Sequence, residues 1–297
     1  MPVSVLPALA LLLNAFVWGV SWWPFRILEG HGLHPLWSTA AVYAFALACL
    51  LCWRPGALWV LLRQPALWPL AAAAGITNVC FNWGVTQGDV VRVVLLFYLM
   101  PVWTAVLAWP LLGEKPSLAT LGRMALALAG VVVVLKTPEA PWPVPQSLPD
   151  WLGVAGGLSF SFTNILLLRL RATPDTARTM AMFCGGCLAA LAAGCLGMAA
   201  GLVPALPAPS VLGGAGAGTA VLLALGFLMG NVALQYGAAR LPANVTSLVM
   251  LSEVVFASAS AVVLGASGLA PHTVVGGLMV LAAAAWSALA PAKHEAG

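Results

Sequence analysis

Apolar positions in this chain fall in long blocks, set apart by Pro, Gly and single charges. A run such as Ala217–Met229 is apolar on nearly every side, unlike a one-sided surface helix or a half-buried strand. A helix needs about 20 apolar residues to cross a bilayer. On that measure the pattern predicts ten spans, at 5–25, 35–53, 66–87, 90–112, 117–135, 151–169, 177–200, 213–235, 243–264 and 272–290. Barrel strands would alternate apolar and polar residues over about ten positions, which these blocks do not do. Two Pro-rich connections, 136–149 and 201–210, are longer than the others. No Lys or Arg precedes the first block, so the N-terminus reads as an uncleaved span rather than a signal peptide.

Composition supports this reading. Of 297 residues, 62% are hydrophobic and 7% charged, and the mean hydropathy is +1.01. Soluble domains are about 45–50% apolar and about 25% charged; disorder needs low hydrophobicity. The 12 basic residues stand mostly singly at span ends, which argues against nucleic-acid binding. Their distribution sets the orientation. Arg54, Arg63, Lys115, Arg123, Arg169, Arg171, Arg178, Arg240 and Lys293 fall on one side, against Arg26, Arg92 and Lys136 on the other. The richer side is expected to be cytoplasmic, together with both termini. Trp37, Trp53, Trp59, Trp68, Trp142, Trp151 and Trp286 fall near span ends and read as an interfacial belt. All six cysteines lie in apolar blocks, so Cys49/Cys52 and Cys184/Cys187 read as packing pairs.

Span 3 contains Asn78-Val79-Cys80-Phe81-Asn82-Trp83-Gly84, and span 8 contains Asn231-Val232-Ala233-Leu234-Gln235-Tyr236-Gly237. The match at corresponding spans points to two copies of a five-span unit. Five is odd, so the second copy is inverted, an arrangement common in secondary transporters with the substrate site between the copies. Asn78/Asn82 and Asn231/Gln235 each share one helix face. Such stripes either bond helices together or line a cavity. Asn14 and Asn164, both mid-span, carry the same two readings. Trp18, Trp22, Trp83, Tyr98 and Trp103 could supply aromatic cavity walls for an amphipathic ligand or pack the bundle.

Glu253 is an acid deep in span 9. A carboxylate there is costly unless paired, hydrated or protonated. It either couples proton binding to transport, binds a cationic substrate group, or packs helices through an amide such as Asn231 or Gln235. Arg92 either pairs with Asp89 at the end of span 4 or turns inward to a carboxylate such as Glu253. Arg26 reads as snorkelling outward. Pro101, mid-span 4, predicts a kink. Gly pairs four apart, such as Gly153/Gly157, permit close helix approach.

No H-E-x-x-H, G-x-S-x-G or P-loop pattern occurs. His31 and His34 lack a third ligand. No enzyme activity, metal or cofactor is expected.

Several segments resemble the ten-span EamA-type exporters of the drug/metabolite transporter superfamily. They are Trp18-Gly19 followed by Arg26, Leu99-Met100-Pro101-Val102, Leu111-Leu112-Gly113-Glu114-Lys115, Gly122 with Gly130-Val131-Val132, Ala238-Ala239-Arg240-Leu241-Pro242-Ala243, and Glu253-Val254-Val255-Phe256. Two departures stand out. Val254 replaces the family's Pro, implying a straighter span 9, and Gly265-Ala266-Ser267 replaces a second Gly-Glu. The resemblance implies an all-α membrane protein of two inverted five-helix repeats, 1–137 and 150–297, joined by a periplasmic linker at 138–149. It further implies secondary transport of a small metabolite, often amino-acid export across a bacterial inner membrane. The expected partners are that substrate, the lipid bilayer and protons. An uncoupled uniporter or channel and a non-transporting scaffold remain the alternatives.

Overall fold

In a computed structural model, residues 5–113, 117–135, 144–205, 215–238, 240–241, 249–268 and 270–289 are described. Every regular element among them is a helix. The first half holds α1 (Val5–Val20), α2 (Trp22–Gly30), α3 (Pro35–Trp53), α4 (Gly56–Arg63), α5 (Leu67–Gln87), α6 (Val90–Phe97), α7 (Met100–Leu112) and α8 (Leu118–Leu135). The second holds α9 (Leu148–Arg169), α10 (Asp175–Ala199), α11 (Ala215–Ala238), α12 (Ser252–Val263) and α13 (Pro271–Leu289). Local signals start and stop them. The His34 ring accepts from Leu36 N–H ahead of Pro35, and the Ser147 and Asp89 side chains cap α9 and α6. Gly113, at φ 73°, ends α7 in the left-handed region.

Seven helical stretches are long and apolar enough to cross a membrane: Val5–Gly30, Pro35–Trp53, Val90–Leu111, Leu118–Leu135, Leu148–Arg169, Asp175–Ala199 and Gly216–Gly237. The other three expected spans coincide with α5, 21 residues long but carrying the Asn78/Asn82 amides, and with the apolar helices α12 and α13. Glu114, Lys115, Lys136, residues 138–143 with Trp142, Ala239, Pro242, Ala243 and Lys293 lie outside the described residues.

Three predicted spans are interrupted. The first breaks at Ser21, whose hydroxyl donates to the Trp18 carbonyl (2.8 Å). The fourth breaks at Tyr98–Leu99, just before Pro101. Proline has no N–H for the Phe97 carbonyl one turn back. Gly157 of α9 packs directly against that carbonyl, where no side chain fits. The ninth was expected to run straighter without a proline. It instead breaks at Leu251, where Val254 N–H bonds to the Leu251 carbonyl, three residues back (3.2 Å). The Ser252 hydroxyl takes the Val249 carbonyl (2.6 Å), a back-bond that bends helices.

The helices pack in a paired pattern across the halves. α1 lies against α11 as α9 lies against α5. α5 packs on α10 as α11 packs on α3, and α1 meets α12 as α9 meets α6 and α7. α3 meets α10, and α8 meets α13. The α8–α13 crossing is close because Gly130 and Gly276 face each other's backbone. Between α5 and α10, Gly75 faces the Gly185 carbonyl and Gly185 faces the Ala71 carbonyl. Gly185→Ala drives a methyl into the Ala71 carbonyl and is expected to cost about 2 kcal/mol. Gly30→Ala, with nothing near its added methyl, is the neutral control in the same thermal melt.

Two ends of the bundle are distinguishable. The tip of α2, the C-terminus of α5 and the N-termini of α6 and α9 meet at one, the Arg92 end. The other, the α4 end, holds α4, the C-termini of α7 and α9 and the start of α10. Trp53, Trp59, Trp68, Trp151 and Trp286 are exposed, as a belt requires. Trp37 departs from the belt reading. It is 4% exposed, and its indole N–H donates to the Pro204 carbonyl (3.1 Å).

Candidate functional site

Glu253 sits in the first turn of α12, immediately after the Leu251 break, and is 8% exposed. Tyr98, at the α6–α7 break, faces it. The tyrosine hydroxyl lies 3.3 Å from Glu253 Oε2 and 3.2 Å from the Met250 carbonyl. Gly19 of α1 closes the other side, where a methyl would lie 2.8 Å from the Glu253 carbonyl. Asn14, 1% exposed, donates to Met250 Sδ (3.5 Å), and its Oδ1 has no partner among the described residues. Asn14 of α1 and Tyr98 at the α6–α7 break therefore converge on Met250, three residues before Glu253. Trp103 is half-buried, with its indole N–H buried and unpartnered among the described residues. A buried polar atom without a partner is costly, and two of them lie on the helices that frame this carboxyl.

The amide pairs do not lie alone. Gln235 Nε2 donates to Asn231 Oδ1 (2.7 Å) and Thr179 Oγ1 (2.5 Å), and the Thr179 hydroxyl bonds back to Asn231 Oδ1 (3.1 Å). This ties α11 to α10. Asn82, fully buried, donates to Thr39 Oγ1 (3.3 Å) and so ties α5 to α3. The two motifs thus make the same bond, from an amide to a threonine of the span before. Asn78, 7% exposed, makes no side-chain hydrogen bond among the described residues. Thr39 and Thr179 were missed in the sequence, where a lone threonine in an apolar run has no pattern. The demand of a buried amide for a partner was the only signal.

Aromatic rings join these groups. Trp18 stacks on Phe227 (4.5 Å) and meets Phe81 edge-on (6.1 Å), and Phe81 meets Phe97 (5.0 Å). Trp22 has a packing contact instead: 2% exposed, it donates its indole N–H to Ser260 Oγ (3.0 Å). Trp83 faces the Arg92 end, where it donates to Gln87 Oε1 (2.9 Å) and meets His34 edge-on (5.3 Å). Burial lowers the His34 pKa below the ordinary imidazole value, so the ring stays neutral and keeps its acceptor for Leu36. Asn164 is exposed, further along the α9 face that carries Gly153 and Gly157.

Arg92 does not reach Glu253. Its Nε and Nη2 grip Asp150 Oδ1 and Oδ2 at 2.8 and 2.9 Å, and Nη1 reaches the Val134 carbonyl (3.3 Å). Asp89 takes only the Arg92 backbone N–H (2.8 Å). Arg26 turns onto the carbonyls of Thr86 and Gly88 (3.0 and 2.6 Å) rather than outward. Two surface hollows, one beside Leu33 and Phe45, one beside Ser258 and Val262, include no candidate site residue. The central region therefore offers a carboxyl, neutral amides and hydroxyls, and aromatic faces, with the arginines held at the ends.

The EamA-like transporter family matches this chain over residues 5–136. No curated protein matches it in sequence. A protein of known crystal structure shares the fold with a TM-score of 0.59 at 16% identity, covering 95% of this chain and 96% of its own. EamA-like proteins are transporters of small solutes and not enzymes. Over residues 5–136, this multi-pass membrane protein is therefore similar to the EamA-like transporter family.

Proposed function

We propose that the chain is a secondary active transporter of ten spans, arranged as inverted units 1–137 and 150–297 around the connection 138–149. It exports a small amphipathic metabolite, with amino acids the first candidates, across a bacterial inner membrane in exchange for protons. Glu253 carries the proton, and Asn14, Tyr98, Trp18, Trp103 and the two amide clusters bound the substrate path. The α4 end, with Arg54, Arg63, Arg123, Arg169, Arg171, Arg178 and Arg240, faces the cytoplasm.

One observation carries this reading. The buried carboxyl of Glu253 lies where a broken span of one half meets a broken span of the other, with Tyr98 bridging them. Discontinuous helices beside a midplane site are the usual construction of secondary transporters. The matched packing of the two halves and the repeated amide–threonine bond support the inverted repeat. At the Arg92 end, Arg92 links a helix of one half to one of the other, which supports closure of that end in this conformation.

The test is counterflow of labelled amino acids and other small metabolites in proteoliposomes. Saturable uptake above empty liposomes is expected. Unsaturable, pH-independent flux would favour a uniporter; no flux across the panel would favour a scaffold. In a responding assay, Gln235→Leu is expected to raise KM about tenfold, the worth of one hydrogen bond. Unchanged kinetics would limit Gln235 to helix packing.

A further inference from the structure

We propose that α4 and its flanking arginines form a docking site for anionic phospholipid headgroups. At eight residues α4 is too short to cross a bilayer. Its own Ala57 and Leu61 are buried on the inner face, while Trp59 and Leu62 point outward, 64% and 53% exposed. A helix apolar on its outer face as well as its inner one suits a lipid surface rather than water. Arg54 stands at its start, over the Trp53 ring at 5.1 Å, and Arg63 at its end, over the Trp59 ring at 5.8 Å. The segment is moored by Gln64, which donates to Thr173 Oγ1 (3.2 Å), and by Trp68, whose indole N–H holds the Leu61 carbonyl (3.1 Å).

Charge complementarity names the occupant. Neither guanidinium has a carboxylate partner among the described residues. Asp175, near the start of α10, is taken by Arg178. Each stacked guanidinium keeps its N–H edge for a phosphate, which it can grip through two parallel bonds. The exposed Trp59 and Leu62 cover acyl chain, so the phosphate comes from a lipid rather than from free anion. α4 is roughly 12 Å long, which sets the two arginines against neighbouring headgroups. None of this depends on what the protein transports.

The experiment is native mass spectrometry of the full chain in mixed micelles of phosphatidylglycerol and phosphatidylcholine. The wild type is expected to retain phosphatidylglycerol preferentially. Arg54→Gln/Arg63→Gln is expected to cut that preference by about twenty-fivefold, at about fivefold per surface arginine. Arg54→Lys/Arg63→Lys keeps the charge and most of the preference, which separates loss of a site from loss of fold. Excess inorganic phosphate leaves the bound lipid in place. A double Gln variant with the wild-type preference, or displacement of the lipid by phosphate, overturns the proposal, and either result can be read whether or not the protein shows flux.

Discussion

Glu253→Gln is expected to abolish gradient-driven accumulation of substrate and flatten the pH dependence of flux. Glutamine keeps the shape and the acceptor facing Tyr98 but can neither hold nor release a proton. Without a proton to carry, substrate movement is no longer tied to the gradient, so accumulation should fall to the equilibrium level. Downhill exchange should survive, because the neutral side chain has the same shape and still accepts from the Tyr98 hydroxyl. Tyr98→Phe is the companion variant: it removes the hydroxyl 3.3 Å from the carboxyl and should shift the pH profile without abolishing accumulation. Gradient-driven uptake by Glu253→Gln at the wild-type level and pH profile would remove the carboxyl from the coupling step.

Breaking the Arg92–Asp150 pair should give the largest loss of stability. Asp150 is the more buried partner, its side chain 4% exposed against 23% for Arg92. Arg92→Ala therefore strands a carboxylate away from water, at a cost of about 3–5 kcal/mol. Asp150 keeps only the Gln146 N–H (3.1 Å) and the start of α9. Asp150→Ala strands a guanidinium that can still reach solvent, so its cost should be smaller, about 2–3 kcal/mol. The double variant should cost no more than Arg92→Ala alone, since neighbours in one pair are not additive. Thermal melts in detergent give all three values. Equal, additive losses below about 1 kcal/mol would place this pair with exposed surface salt bridges.

Much of the helix layout was legible in the blocks of apolar residues. The predicted span 35–53 coincides with α3, and 117–135 departs from α8 by one residue. α4 was hidden because eight apolar residues between two arginines resemble a loop when only spans are sought. The break at Ser21 was hidden because serine is tolerated in a helix, and its back-bond to Trp18 shows only in three dimensions. Span 9 breaks without proline for the same reason, through Ser252.

The site was legible where polarity is rare. Glu253 and the amides stood out against apolar sequence, but their partners did not. Tyr98 could be named as aromatic, though not as the group facing Glu253, 155 residues away. Arg92 was misdirected by proximity. Asp89 at i−3 looked like its partner, and local spacing cannot reveal Asp150, 58 residues on. Trp22 was grouped with cavity walls because an indole in a span carries no sign of whether its N–H is satisfied; Ser260 satisfies it.

The central claim is proton-coupled movement of a small solute. The most direct test takes a substrate found by counterflow, imposes an inside-acidic pH gradient on wild-type proteoliposomes that hold none of it, and follows labelled substrate inside and out. The account predicts accumulation above the external concentration, collapsing when a protonophore dissipates the gradient. Equilibration without accumulation, indifferent to the protonophore, would contradict it.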